Sequence, residues 1–137
     1  MYLIGIPLLI IPFAIYNIIA FLFGVGFADT LFTVRLFSGA DWGVSTSDIL
    51  LAFALLLLFL EVIKATRLGS RSIMDHLLSL VLFLAMLAEF AMVRAAATST
   101  FFLLVTISFV DVIAGFSVTI RTAERDIGID AAETLRQ

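Results

Sequence analysis

Long apolar runs alternate with short polar breaks along this chain. Residues 2–24, 49–63, 73–93 and 101–120 form four runs almost free of charge. A helix crossing the hydrocarbon layer needs about 20 predominantly apolar residues, so each run predicts a transmembrane helix. The second run is the shortest, with Asp48 and Lys64 placed to sit at its two interfaces. The pattern predicts an all-α integral membrane protein. Its fold is a single membrane domain over 1–137 with four transmembrane helices in an up-down-up-down bundle. The first run has no Lys or Arg ahead of it and is too long for a signal-peptide core, so a retained first span is expected.

Polar residues at the breaks carry helix-start chemistry. Ser45, Thr46, Ser47 and Asp48 precede the second run, and Ser72, Ile73, Met74 and Asp75 open the third. Both contain the Ser-x-x-acid spacing that lets a hydroxyl and a carboxylate satisfy orphan backbone donors. Thr98, Ser99 and Thr100 serve the fourth in the same way. Within the first run, Pro12 removes a helix hydrogen bond and is expected to kink the helix. Asn17 is placed to hydrogen-bond across the bundle.

The connection over 27–47 is long for a helical hairpin and carries Leu31, Phe32, Val34, Leu36, Phe37 and Trp42. Such a loop predicts an interfacial segment on the outer side, with a short helix over 29–37 and Trp42 at headgroup level. The alternation Phe32, Val34, Leu36 also permits an extended segment. Contact with a partner protein is a third use for these side chains. In the tail, 121–137, Gly128 is expected to end the fourth helix, and Asp130 with Glu133 to cap a short cytoplasmic C-terminal helix.

Charge placement orients the bundle. Lys64, Arg67, Arg71, Arg121, Arg125 and Arg136 fall on one side, and only Arg35 and Arg94 on the other. The positive-inside rule then puts both termini in the cytoplasm, in a multi-pass protein of a bacterial-type inner membrane.

Composition agrees with the pattern: 63% of residues are hydrophobic and 14% charged. A soluble domain has nearer 45–50% apolar and about 25% charged residues. Eight basic residues do not make a nucleic-acid footprint. With no cysteine, disulfides, thiolate metal sites and Cys nucleophiles are excluded. One histidine excludes a His-rich metal centre within one subunit. No metal or cofactor is expected, and bound lipid is.

Ionisable residues inside spans are costly, roughly 2.5–3.5 kcal/mol at the centre of a span, and usually face protein or water. Asp111 lies mid-way along the fourth run, with Ser108 and Gly115 on the same helix side. This stripe is either a proton or ion site or an inter-helix hydrogen bond at a close helix approach. Glu89, late in the third run, either pairs with Arg94 or forms a second station of a proton path with Asp111. Asp75 and His76 make a polar pair at the cytoplasmic entrance, able to shuttle a proton or to bond a loop carbonyl. Glu61 has the spacing for an ion pair with Lys64. Lys64, Arg67 and Arg71, with Trp42 on the other side, are candidate contacts to lipid headgroups.

No nucleotide-binding loop, nucleophile elbow or metalloprotease motif is present, so nothing points to an enzyme. The first functional expectation is a non-catalytic accessory or assembly subunit, packed against other membrane-protein subunits or against itself. The alternative is a small oligomeric proton- or ion-coupled transporter or channel using Asp111 and Glu89. A quinone-linked or other redox membrane protein is a further alternative.

Overall fold

The computed structural model describes residues 5–66 and 70–136. It is mostly helical, with one two-stranded antiparallel sheet. Helix α1 runs Ile10–Ile18 and passes into a five-residue π turn, Ile19–Phe23. Strands β1 (Thr30–Arg35) and β2 (Asp41–Ser45) follow. Then come α2 (Thr46–Ala65), α3 (Ser70–Met92), a 3-10 turn at Arg94–Ala96, and α4 (Ser99–Thr134).

Three helices are long and apolar enough to cross a membrane: Thr46–Ala65, Ile73–Met92 and Ser99–Thr134. The helix over Ile10–Phe23 is shorter. At 1.5 Å per residue it covers about 21 Å, less than a hydrocarbon core of about 30 Å. The short length follows from where the helix starts. Pro12 occupies its third position, where the amide that proline lacks has no helical acceptor to meet. Pro12 therefore sits in the first turn and does not kink a longer helix, as the sequence had suggested.

Contacts at both ends fix the helix directions. Ser47 and Thr100 share a hydrogen bond of 2.7 Å at the starts of α2 and α4, so these two run the same way. The start of α1 meets Glu61 near the end of α2, and Asn17 near the end of α1 meets Glu89 near the end of α3. Helices α1 and α3 thus run together, opposite to α2 and α4.

Each long helix buries one stripe. On α2 it is Leu50, Ala54, Leu57, Glu61 and Ala65. Asp75, Ser79, Leu82 and Met86 form it on α3, and Phe101, Leu104, Ser108, Asp111 and Val112 on α4. Intervals of three and four residues keep such sets on one helix face. The opposite faces leave Leu56, Phe59, Val81, Leu84 and Ile113 exposed, which suits lipid and not water.

The core is tightest at the end where α1 finishes. Tyr16 is fully buried, stacks on Phe27 at 4.3 Å and meets Phe101 edge-on at 4.7 Å between ring centroids. Its hydroxyl donates to the Ala95 carbonyl at 2.9 Å and lies 2.7 Å from Thr98 Oγ1. This joins α1 to the turn between α3 and α4.

Three sequence expectations are corrected here. The connection over 27–47 is a β hairpin and not a helix over 29–37. Its strands pair Phe32 with Val44 and Val34 with Trp42, and Gly39 turns the chain at φ 87°. The β-branched alternation outweighs helix propensity once a glycine supplies the turn. Helix α4 does not stop at Gly128 but continues to Thr134. A single interior glycine costs about 1 kcal/mol relative to alanine and does not by itself end a helix. Asp75 does not cap α3, which begins at Ser70, but lies inside its second turn. The other two start signals act as expected. Ser45 and Asp48 form a reciprocal capping box on α2, and the Thr98 hydroxyl accepts from Phe101 N on α4.

Tyr16→Phe removes the hydroxyl but leaves the part-buried Ala95 carbonyl without its donor. The expected cost is about 1–3 kcal/mol, read as a lower unfolding midpoint of the purified protein in detergent.

Candidate intramembrane polar site

The buried stripes of α2, α3 and α4 turn polar over the same stretch. Glu61, Asp75, His76, Ser79, Ser108 and Asp111 are all less than a tenth exposed. Lys64 joins them, its Nζ 2.8 Å from Glu61 Oε1 and 4.0 Å from Asp75 Oδ2. Asp111 lies within hydrogen-bonding reach of Ser79 and within electrostatic range of Glu61 and Lys64. His76 Nε2 is 2.6 Å from Thr119 Oγ1.

Two of these groups also hold the backbone ahead of α1. Leu8 N donates to Glu61 Oε2 at 3.0 Å, and Lys64 Nζ donates to the Ile6 carbonyl at 3.1 Å. The first turn of any helix leaves its amides without intrahelical acceptors. Inside a bilayer no water replaces them. Here Ile10 N and Ile11 N donate to the Pro7 and Leu8 carbonyls, and the Glu61–Lys64 pair serves the Leu8 amide and the Ile6 carbonyl just ahead of the helix.

Asp75 and Asp111 are less committed. Asp75 has Lys64 at the outer limit of ion-pair distance, and its Oδ1 has no hydrogen-bond partner. The Ser108 hydroxyl is likewise buried and unpartnered. Three carboxyl groups thus surround one lysine, and that lysine is closest to Glu61.

Gly115 permits the close approach of α3 to α4. A Cβ there would come within 2.6 Å of His76 Nδ1. The ring of His76 also packs on Phe116, with centroids 5.5 Å apart.

No family model, curated protein or solved structure matches the chain. The site must therefore be read from its own chemistry. Among the described residues, no group of three or more His, Cys, Asp or Glu has the geometry to hold a metal ion.

The structure regroups the residues that the sequence singled out. Asp111, Ser108 and Gly115 join Asp75 and His76, two sets that the sequence had kept apart. Glu61 and Lys64, read only as an intrahelical pair, are central. Lys64 is turned inward, with its side chain 14% exposed, instead of reaching for headgroups. Arg67 and the Arg71 side chain lie outside the described residues. Trp42 is half-exposed on β2.

Glu89 belongs elsewhere. Its Oε2 is 3.4 Å from Asn17 Nδ2, and Arg94 is exposed in the 3-10 turn with no ion pair to Glu89. Between Glu89 and the Asp111 group lie Leu57, Leu82, Met86 and Leu104 of the apolar core. Ser79 and Glu89 are ten residues apart on α3, or about 15 Å along its axis. No polar side chain in the described core bridges the two.

Gly115→Ala forces His76 away from α4 and breaks its contact with Thr119. Overpacking of this kind costs about 1–3 kcal/mol. The expected result is a less stable protein with a shifted His76 imidazole resonance in NMR; an unmoved resonance would show that the helices do not meet as closely as described.

Proposed function

We propose that this chain is a four-crossing protein of a bacterial-type inner membrane, with both termini in the cytoplasm, and that it takes up protons or small cations at Asp111 and Asp75. The observation that supports this reading is the pair of buried aspartates without a cation of their own. Glu61 and Lys64 neutralise each other and hold the start of α1. The remaining carboxyl groups are stabilised by a proton or by a cation from outside the chain. Isolated charges in such surroundings are too costly to persist.

The site lies toward one end of the bundle. His76 and Thr119 lie toward the cytoplasmic ends of their helices in the proposed topology, and Asp111 lies deeper. The layer of Leu57, Leu82, Met86 and Leu104 closes the route beyond. One chain encloses half a path, so transfer across the membrane calls for a rearrangement of that layer or for a site completed by another subunit.

In vesicles holding the wild-type protein, an imposed proton gradient is expected to dissipate faster than in empty vesicles. Asp111→Asn is expected to abolish the difference while leaving the helical circular-dichroism spectrum intact. Wild-type vesicles no leakier than empty ones, or full activity in the variant, would refute the assignment.

An accessory role in a larger membrane complex is the second reading. It draws support from the β hairpin, where Leu31, Phe32, Val34, Leu36, Phe37 and Trp42 are exposed at the membrane end. Mild-detergent purification is then expected to retain other membrane proteins with the chain, and replacing Phe37 and Trp42 with Ser to release them.

A further inference from the structure

The β hairpin has two unlike faces. Residues directly opposite in an antiparallel pair share a face, and successive residues change face. The register pairs Phe32 with Val44 and Val34 with Trp42, so these four apolar side chains lie together. Thr33 with Gly43 and Arg35 with Asp41 occupy the reverse, where opposite charges stand across from each other. On the apolar face only Val44 is covered; Phe32, Val34 and Trp42 are exposed, as is Phe37 at the turn.

The hairpin leaves the helices at the end of a span. Thr46 N donates to the Asp29 carbonyl and Ser47 N to the Phe27 carbonyl, which fastens the base of the hairpin to the first turn of α2. Leu31 lines one hollow with Ile15 of α1 and with Ile49 and Phe53 of α2. Ile49 and Phe53 lie in the first two turns of a helix long and apolar enough to cross a membrane, on its exposed side. The apolar surface of that helix thus continues through Leu31 onto the hairpin.

We propose that the hairpin lies against the bilayer surface, with Phe32, Val34, Trp42 and Phe37 among lipid and with Arg35 and Asp41 in water. The backbone sets the depth. A two-stranded sheet has two open edges, and unpaired backbone groups do not occur in hydrocarbon. The strands therefore rest at the level of the lipid headgroups and ester groups, and only side chains reach the acyl chains. This is the level that tryptophan favours. A protein partner would also cover an apolar face, but gives no reason for that face to continue the exposed side of α2.

Trp42 is the only tryptophan of the chain and so reports its own position. The test reconstitutes the full chain in vesicles whose lipids carry bromine either near the carboxyl end or near the methyl end of the acyl chain. Trp42 emission is expected to be blue-shifted from that of tryptophan in water and shielded from aqueous iodide. The shallow bromine should quench it more than the deep one. In a Trp42→Phe background, Thr33→Trp moves the reporter to the other face, where iodide should quench it and neither lipid should. Trp42 quenched by neither lipid would overturn the proposal, and quenching by iodide would then leave the face free for a protein partner. Stronger quenching by the deep bromine, or lipid quenching of both reporters, would overturn it equally. The wild-type measurement involves no substitution and decides the question even where the double variant fails to fold.

Discussion

The contact between the end of α2 and the backbone ahead of α1 is the constraint on which the rest of this structure depends. The helix over Ile10–Phe23 is short, and the backbone just ahead of it has polar groups to satisfy where water is scarce. Glu61 accepts from Leu8 N, Lys64 donates to the Ile6 carbonyl, and the two side chains bind each other at 2.8 Å. A buried ion pair of this kind gains little by itself, because desolvation offsets attraction. Its value lies in the backbone groups it satisfies and in the position it gives Lys64. That position brings Lys64 to 4.0 Å from Asp75 Oδ2.

Two polar regions result. At the hairpin end, Tyr16, Thr98, Ala95, Asn17 and Glu89 form bonds that tie α1 to α3 and to the turn before α4. Buried atoms without partners occur at both ends: Glu89 Oε1 and Thr46 Oγ1 at the hairpin end, Asp75 Oδ1 and Ser108 Oγ at the other. Buried polar atoms are normally satisfied, and those that are not call for a ligand, a proton or water. An apolar layer of Leu57, Leu82, Met86 and Leu104 separates the two regions. Helix α4, at 36 residues, is long for the bundle, and its described side chains past Ile120 are exposed.

Much of this was legible in the sequence, and the failures have physical causes. The three long helices follow from apolar length alone. The starts of α2 and α4 follow from Ser45, Asp48 and Thr98, because capping is local chemistry. Asp111 with Ser108 and Gly115 was visible as a stripe for the same reason. The hairpin was missed because Phe32, Val34 and Leu36 suit either period, and the turn at Gly39 decides between them. The convergence of Glu61, Lys64, Asp75 and Asp111 needs the arrangement of three helices, which a local pattern does not hold. One signal was available all the same. Glu61 continues the spacing of Leu50, Ala54 and Leu57, and so belonged to the buried face of α2 from the start.

One lysine joins carboxyl groups of α2 and α3 to the backbone ahead of α1. A double-mutant cycle on the unfolding free energy of the detergent-solubilised protein, with Lys64→Met and Glu61→Gln, tests it most directly. Lys64→Met alone leaves buried Glu61 and Asp75 without their cation and is predicted to cost about 3–5 kcal/mol. Adding Glu61→Gln should recover part of that loss, with a coupling of roughly 0.5–3 kcal/mol. A cost for Lys64→Met within about 0.5 kcal/mol of zero, the range of ordinary surface substitutions, together with no coupling to Glu61→Gln, would contradict the account.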